Sequence, residues 1–160
     1  TGDLIPADDS HVTSPRTTIP SHGSRDTRDI APLRDRAAAA MQQAYAPYST
    51  FQVGAALLGD DGSIWDGCNV ENAAYPTGWC AERSALGAAV TRGVRRFRTI
   101  VIVTSADTPT PPCGMCRQAL IEFAPDLEVV SIARDGLEKR WLLSDLLPFA
   151  FTPASLGRTE

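Results

Sequence analysis

Pro112-Cys113-Gly114-Met115-Cys116 and Cys80-Ala81-Glu82-Arg83 together offer three thiols and one carboxylate, the donor set of a catalytic zinc site. A Cys-x-x-Cys pair opening a helix places both sulfurs on its first turn, because residues three apart face the same way. A cysteine at the start of another helix completes three protein ligands. Structural zinc is usually closed by four ligands, whereas three leave a tetrahedral position open to a water that the metal acidifies. Glu82, next to a ligand but not one itself, is then placed to shuttle the proton such a water loses. Redox motifs and structural zinc sites share the Cys-x-x-Cys pair, so the weight rests on the combination.

Outward from these helix starts, strands and helices alternate. Leu33, Ala37, Ala40, Met41 and Ala44 recur at helical spacing, with Arg34, Arg36 and Gln43 off the stripe, which predicts an amphipathic helix ended by Pro47. Phe51 to Leu58 reads as a strand in which Gly54, Ala55 and Ala56 allow other elements to pack closely. The turn Gly59-Asp60-Asp61-Gly62 makes the next strand, Ser63 to Val70, antiparallel to it. A polar loop from Glu71 to Thr77 leads to a helix from Cys80 to Arg92, with Ala85, Leu86, Ala89 and Val90 as its apolar stripe. The continuous Ile/Val run from Thr99 to Thr104 predicts a buried central strand. A proline-rich loop, Ser105 to Pro112, then delivers Cys113 to a helix ending near Phe123. Leu127 to Ala133 and Lys139 to Leu143 are two more strands around an Asp135-Gly136 turn, followed by a short helix from Ser144 and an apolar extension from Pro148 to Leu156. The expected fold is a layered α/β domain of about five strands.

The chain has 160 residues, 43% hydrophobic and 21% charged, enough for one real core and too few for two ordinary domains. Residues 1–29, rich in Ser, Thr, Pro, Asp and Arg without apolar periodicity, are expected to form a flexible tail, and residues 30–160 the domain. His11 and His22 lie in that tail, and the thiols supply a complete metal site without them. A net charge of −4 argues against a nucleic-acid binder and for a small or uncharged partner. Arg92, Arg95, Arg96 and Arg98 read as a solvated loop, since no run of aromatics accompanies them for base stacking. Three of the four cysteines sit in metal-type spacing, which suits a reducing, cytoplasmic compartment better than disulfides. No apolar run approaches the roughly 18 residues of a membrane span.

Helix N-termini depress thiol pKa values, and three thiolates on one Zn²⁺ leave a formal charge of −1. Arg83, three residues after Cys80, can reach the sulfurs and offset it, and Arg117 has a weaker claim to the same role. Cys68 at a strand end reads as a small buried apolar residue rather than a fourth ligand, which would close the site.

The sequence from Ala46 to Phe151 resembles the small, homotetrameric, zinc-dependent cytidine deaminases of pyrimidine salvage. The matching blocks are Ala46-Pro-Tyr-Ser-Thr-Phe-Gln-Val-Gly-Ala-Ala-Leu57, Gly67-Cys-Asn-Val-Glu-Asn-Ala-Ala-Tyr75, Cys80-Ala-Glu-Arg83, Pro112-Cys-Gly-Met-Cys-Arg-Gln118 and Leu146-Leu-Pro-Phe-Ala-Phe151. The resemblance implies a three-layer α/β/α domain with a mixed five-stranded sheet, and one zinc per chain on Cys80, Cys113 and Cys116. It implies Glu82 as the proton shuttle in hydrolytic deamination of cytidine and deoxycytidine to uridine and deoxyuridine with release of ammonia. It further implies that Asn69 and Glu71 hold the ribose hydroxyls, that Phe51 lies against the pyrimidine, that Tyr75 and Ala81 contact substrate, and that Phe151 reaches a neighbouring subunit's pocket. On an extended segment Asn69 and Glu71 would share a face and grip one sugar hydroxyl together. The chain departs from the family's pattern at Pro111, where Ser is common, and at Trp79, where an aliphatic residue is usual.

Overall fold

Phe97–Thr104 (β3) is the middle of a five-stranded sheet, and its Ile/Val run is buried on both sides because helices cover both faces. The structure, a computed structural model, describes residues 29–158. The elements before β3 are Ala31–Met41 (α1), Val53–Gly59 (β1), Ile64–Cys68 (β2) and Ala81–Thr91 (α2). After it come Gly114–Ile121 (α3), Glu128–Ile132 (β4), Glu138–Leu142 (β5) and Leu143–Leu146 (α4). Short 3-10 turns form at Tyr75–Thr77 and Pro153–Leu156. The strand order is β2-β1-β3-β4-β5, with β3 and β4 parallel and every other pair antiparallel. The sheet is therefore mixed and the domain three-layered, as the resemblance implies.

Strand alternation sorts the core into two halves. Ala56, Val101, Val103, Val130 and Ile132 face α1, packing on Leu33 and Ala37. Ala55, Leu57, Ile100, Ile102 and Val129 face the opposite way, against Ala81, Ala85 and Ala89 of α2 and Leu120 and Ile121 at the end of α3. Two glycines set how closely the helices approach. A Cβ on Gly54 would lie 1.9 Å from the Ala37 carbonyl oxygen, and one on Gly67 would lie 2.5 Å from the Ser84 Cβ. Gly54 thus seats α1 on one face, and Gly67 seats α2 on the other.

The elements match those read from the sequence, with differences at their ends. α1 stops at Met41 and not at Pro47, because the main chain of Tyr45 leaves the helical path to pair with the 69–71 segment: its amide donates to the Asn69 carbonyl (3.0 Å) and its carbonyl accepts from Glu71 (2.8 Å). Phe51 and Gln52 lie just ahead of β1 rather than in it. Cys80 and Cys113 are the N-cap residues of α2 and α3. The expected N-terminal tail, apart from Asp29, lies outside the described residues. Among the described residues no helix is long and apolar enough to cross a membrane.

Candidate active site

α2 and α3 lie side by side on one face of the sheet with their N-termini together. Cys80 and Cys113 occupy extended N-cap positions with no side-chain cap hydrogen bond, which leaves both sulfurs free to turn toward each other. Cys116 follows on the first turn of α3, fully buried. The three sulfurs lie within 4.8 Å of one another, and those of Cys80 and Cys113 are 3.8 Å apart. Ligand sulfurs at about 2.3 Å from one tetrahedral zinc lie about 3.8 Å from each other, so this donor set fits the ion both in chemistry and in spacing. Cys68 does not join it. It pairs in register with Gly54, on the α1 face, and its thiol points to the Gln43 carbonyl oxygen at 3.5 Å.

Electrostatics follow from this packing. A hydrogen bond from Cys116 draws the Cys80 thiol down to about 5, with Arg83 and Cys113 assisting against the cost of burial. Cys116 is pushed up, first by that same bond to Cys80 and then by burial. Glu82, the second residue of α2, is buried at 5% exposure. Burial lifts its carboxyl above the usual carboxylate range, and the charge of Cys80 adds to the effect. Arg83 lines the cavity beside Cys80, and its Nη2 donates to the Gly78 carbonyl at 3.2 Å.

The cluster lies at one wall of a cavity of about 550 Å³, within the roughly 300–1,000 Å³ typical of small-molecule sites. Phe51, Asn69, Glu71, Tyr75, Ala81 and Glu82 all line it, together with Cys80, Cys113 and Arg83.

Residues 29–132 match the family model described as the cytidine and deoxycytidylate deaminase zinc-binding region. A cytidine deaminase of Sporosarcina psychrophila is 43% identical over 130 residues, which cover 81% of this chain and 96% of that protein. One from Halalkalibacterium halodurans is 47% identical over 119 residues, covering 74% of this chain and 90% of that protein. Among solved structures, the cytidine deaminase of Burkholderia pseudomallei superposes with a TM-score of 0.73 at 48% identity, covering 76% of this chain and 98% of that one. The chain belongs to the cytidine and deoxycytidylate deaminase family.

In this deaminase the family's zinc-binding region presents Cys80, Cys113 and Cys116 as the group that holds one Zn²⁺ per chain. The pocket residues are held more tightly than the sequence suggested. Asn69 does not hang free beside Glu71. Its Oδ1 accepts from the Val53 amide (2.9 Å) and its Nδ2 donates to the Phe51 carbonyl (2.8 Å), tying the start of β1 to the end of β2. The Glu71 carboxylate accepts from the amides of Tyr48 (2.9 Å) and Ser49 (3.2 Å) and from the Ser49 hydroxyl. Both side chains thus grip the 48–53 segment that carries Phe51. Phe151 is 58% exposed and does not line the cavity of its own chain; its carbonyl accepts from the Gln118 amide at 2.7 Å.

Arg117 does not serve the sulfurs. Its Nε donates to the Pro112 carbonyl (2.7 Å) and its Nη1 to the Leu146 carbonyl (2.9 Å), fastening the loop before Cys113 to the C-terminal segment. Sequence reading did not single out Val53, Ile102, Thr104 and Met115, which also line the cavity. Val53, Ile102 and Thr104 sit in apolar strand runs that read as core. The signal that could have found them is position, at the strand ends nearest the helix starts that bear the thiols.

Proposed function

We propose that this protein catalyses the hydrolytic deamination of cytidine and deoxycytidine to uridine and deoxyuridine, releasing ammonia, as a step of pyrimidine salvage. The observation that carries the reading is a buried, protonatable Glu82 immediately beside a three-thiol cluster at the wall of a nucleoside-sized cavity. When bound, zinc supplies the electrophilic centre that makes water a nucleophile at neutral pH. Cys80, Cys113 and Cys116 hold it, and Arg83 offsets the excess negative charge of three thiolates. Glu82 takes one proton from the attacking water and gives it to N3 of the pyrimidine, then takes the water's second proton from the hydroxyl now on C4 and gives it to the departing amino group. Its raised pKa suits a group that must both accept and give a proton.

Phe51 is assigned the face of the pyrimidine, Asn69 and Glu71 the ribose, and Tyr75 and Ala81 further contacts with substrate; all line the cavity. Residues 30–160 form the catalytic domain in this reading, and residues 1–29 are dispensable for the chemistry. A homotetramer with shared pockets is supported by Phe149, which is 97% exposed, and by the outward-facing Phe151 nearby. The negative net charge and free thiols favour a cytoplasmic enzyme acting on small nucleosides over one acting on nucleic acid or at a membrane.

The test is a panel of cytidine, deoxycytidine, cytosine and single-stranded DNA, read by loss of the cytosine absorbance and by ammonia. Turnover of the two nucleosides and not of the polymer is expected. A zinc-loaded, folded protein that releases no ammonia from any of the four would overturn the reading. Sedimentation reads the assembly: a fully active monomer would remove the shared pocket.

A further inference from the structure

Trp79 stands immediately before the zinc ligand Cys80, and it does more than fill space. Its backbone is clamped, because the Trp79 amide donates to the Val70 carbonyl and the Val70 amide to the Trp79 carbonyl, both at 2.8 Å. Side chains on a helix lean toward its N-terminus, so Arg83, on the first turn of α2, folds back over Cys80 toward this clamped residue. The Arg83 Cζ comes to 4.5 Å from the centroid of the Trp79 ring. Nη2 donates to the Gly78 carbonyl at 3.2 Å, and Nε is buried without a hydrogen-bond partner. A long, flexible cation is thus held at two points, one of them an aromatic face.

We propose that Trp79 is a positioning residue: its indole is the platform that keeps the Arg83 guanidinium against the thiol cluster, so that retention of the metal in this chain depends on an aromatic ring outside the ligand set. The inference rests on the zinc-deaminase reading, but concerns how the charge of the centre is balanced rather than which reaction follows. An aliphatic side chain would pack there equally well but has no quadrupole to attract the cation, and Trp is the best of the aromatic residues at doing so. Arg also stacks on such faces through its planar fork, which a Lys in its place would not do.

The experiment measures zinc release, not activity. Zinc-loaded protein is mixed with excess 4-(2-pyridylazo)resorcinol, and the first-order release rate is followed by absorbance for the wild type, Trp79→Leu, Trp79→Phe, Arg83→Gln and the double variant Trp79→Leu with Arg83→Gln. Trp79→Leu is expected to release zinc about fivefold faster, the scale of a half-exposed cation–π contact, with Trp79→Phe between it and the wild type. In the Arg83→Gln background Trp79→Leu should change nothing further, because the partner it positions is gone. Wild-type release from Trp79→Leu would overturn the proposal. So would the same acceleration with and without Arg83, since the ring would then only shield the site from the chelator. Thermal melts confirm that each variant is folded, and Trp79→Phe keeps the measurement decisive should Leu unfold the segment. A wild-type protein that carries no zinc would overturn the proposal and the deaminase reading together, whereas a zinc-bearing, active wild type with an unaffected Trp79→Leu overturns the proposal alone.

Discussion

Replacing Arg117 by Met keeps its aliphatic stem and removes the guanidinium that spans the Pro112 and Leu146 carbonyls, 2.7 and 2.9 Å away. Pro112 is buried and Leu146 half-buried, so neither carbonyl regains a full water shell. Hydrogen bonds from a charged donor contribute about 1.5–3 kcal/mol each. Two from one group, partly compensated by water at Leu146, come to about 3 kcal/mol. For a domain of this size that lowers the melting temperature by about 10 °C. Pro112 precedes the ligand Cys113, so the variant should also lose zinc to a chelator faster than the wild type. Arg117→Lys, which cannot span both carbonyls with one point charge, should recover about half of the stability. The assays are a thermal melt by circular dichroism and chelator competition on the same samples. An Arg117→Met protein melting within about 2 °C of the wild type would refute the staple and return Arg117 to the role of an ordinary surface cation.

Glu82→Gln should keep its zinc and its fold while kcat falls at least about a hundredfold, since an amide cannot accept the proton; activity within a few-fold of the wild type would remove Glu82 from the proton path. Gly54→Ala places a methyl group 1.9 Å from the Ala37 carbonyl, so α1 must shift off the sheet, and the variant should express poorly or melt far below the wild type; an unchanged melt would contradict the seating of α1. Glu71 titrates below the usual carboxylate range, held there first by the Ser49 hydroxyl and then by the Tyr48 amide. A folded-state pKa below the unfolded one means that this contribution is complete above about pH 4.3 and disappears as the pH falls through the folded value. Hydrogen-exchange protection of the Tyr48 and Ser49 amides should therefore drop in acid in the wild type and stay low at every pH in Glu71→Gln.

What the sequence made legible was periodic or motif-borne. The Ile/Val run of β3, the helical stripes and the two turns are local signals, and they located every strand and α-helix but neither of the two 3-10 turns. The zinc donor set was legible because residues three apart on one helix turn must face together. The limits of α1 were not, since a main-chain pairing with the distant 69–71 segment overrode an alanine-rich pattern that would have continued the helix. The detail of the pocket was hidden for a similar reason. Asn69 and Glu71 share the cavity as expected, yet each satisfies its polar atoms on the 48–53 segment, a contact between residues far apart in the chain that no spacing rule discloses. Arg117 follows Cys116 directly, and sequence proximity suggested a partner for the sulfurs; the helix turns its side chain toward two carbonyls instead.

The N-caps of α2 and α3 break a local rule in a way that function accounts for. Ser, Thr, Asp or Asn at those positions would accept a hydrogen bond from an otherwise unpaired helix amide, and forgoing such a cap costs about 1 kcal/mol per helix. Both helices carry cysteine there instead, with no side-chain cap at either. The unpaired first-turn amides, and the positive ends of two helix dipoles, thereby converge on the sulfur cluster, where they favour negative charge. A fold selected for stability alone would have capped each helix separately. Placing both uncapped starts on one face of the sheet, 3.8 Å apart at the sulfurs, makes sense only where thiolate charge has to be gathered. The same convergence explains why Cys68 stays out: one step of strand alternation puts it on the α1 face, beyond the reach of either helix start.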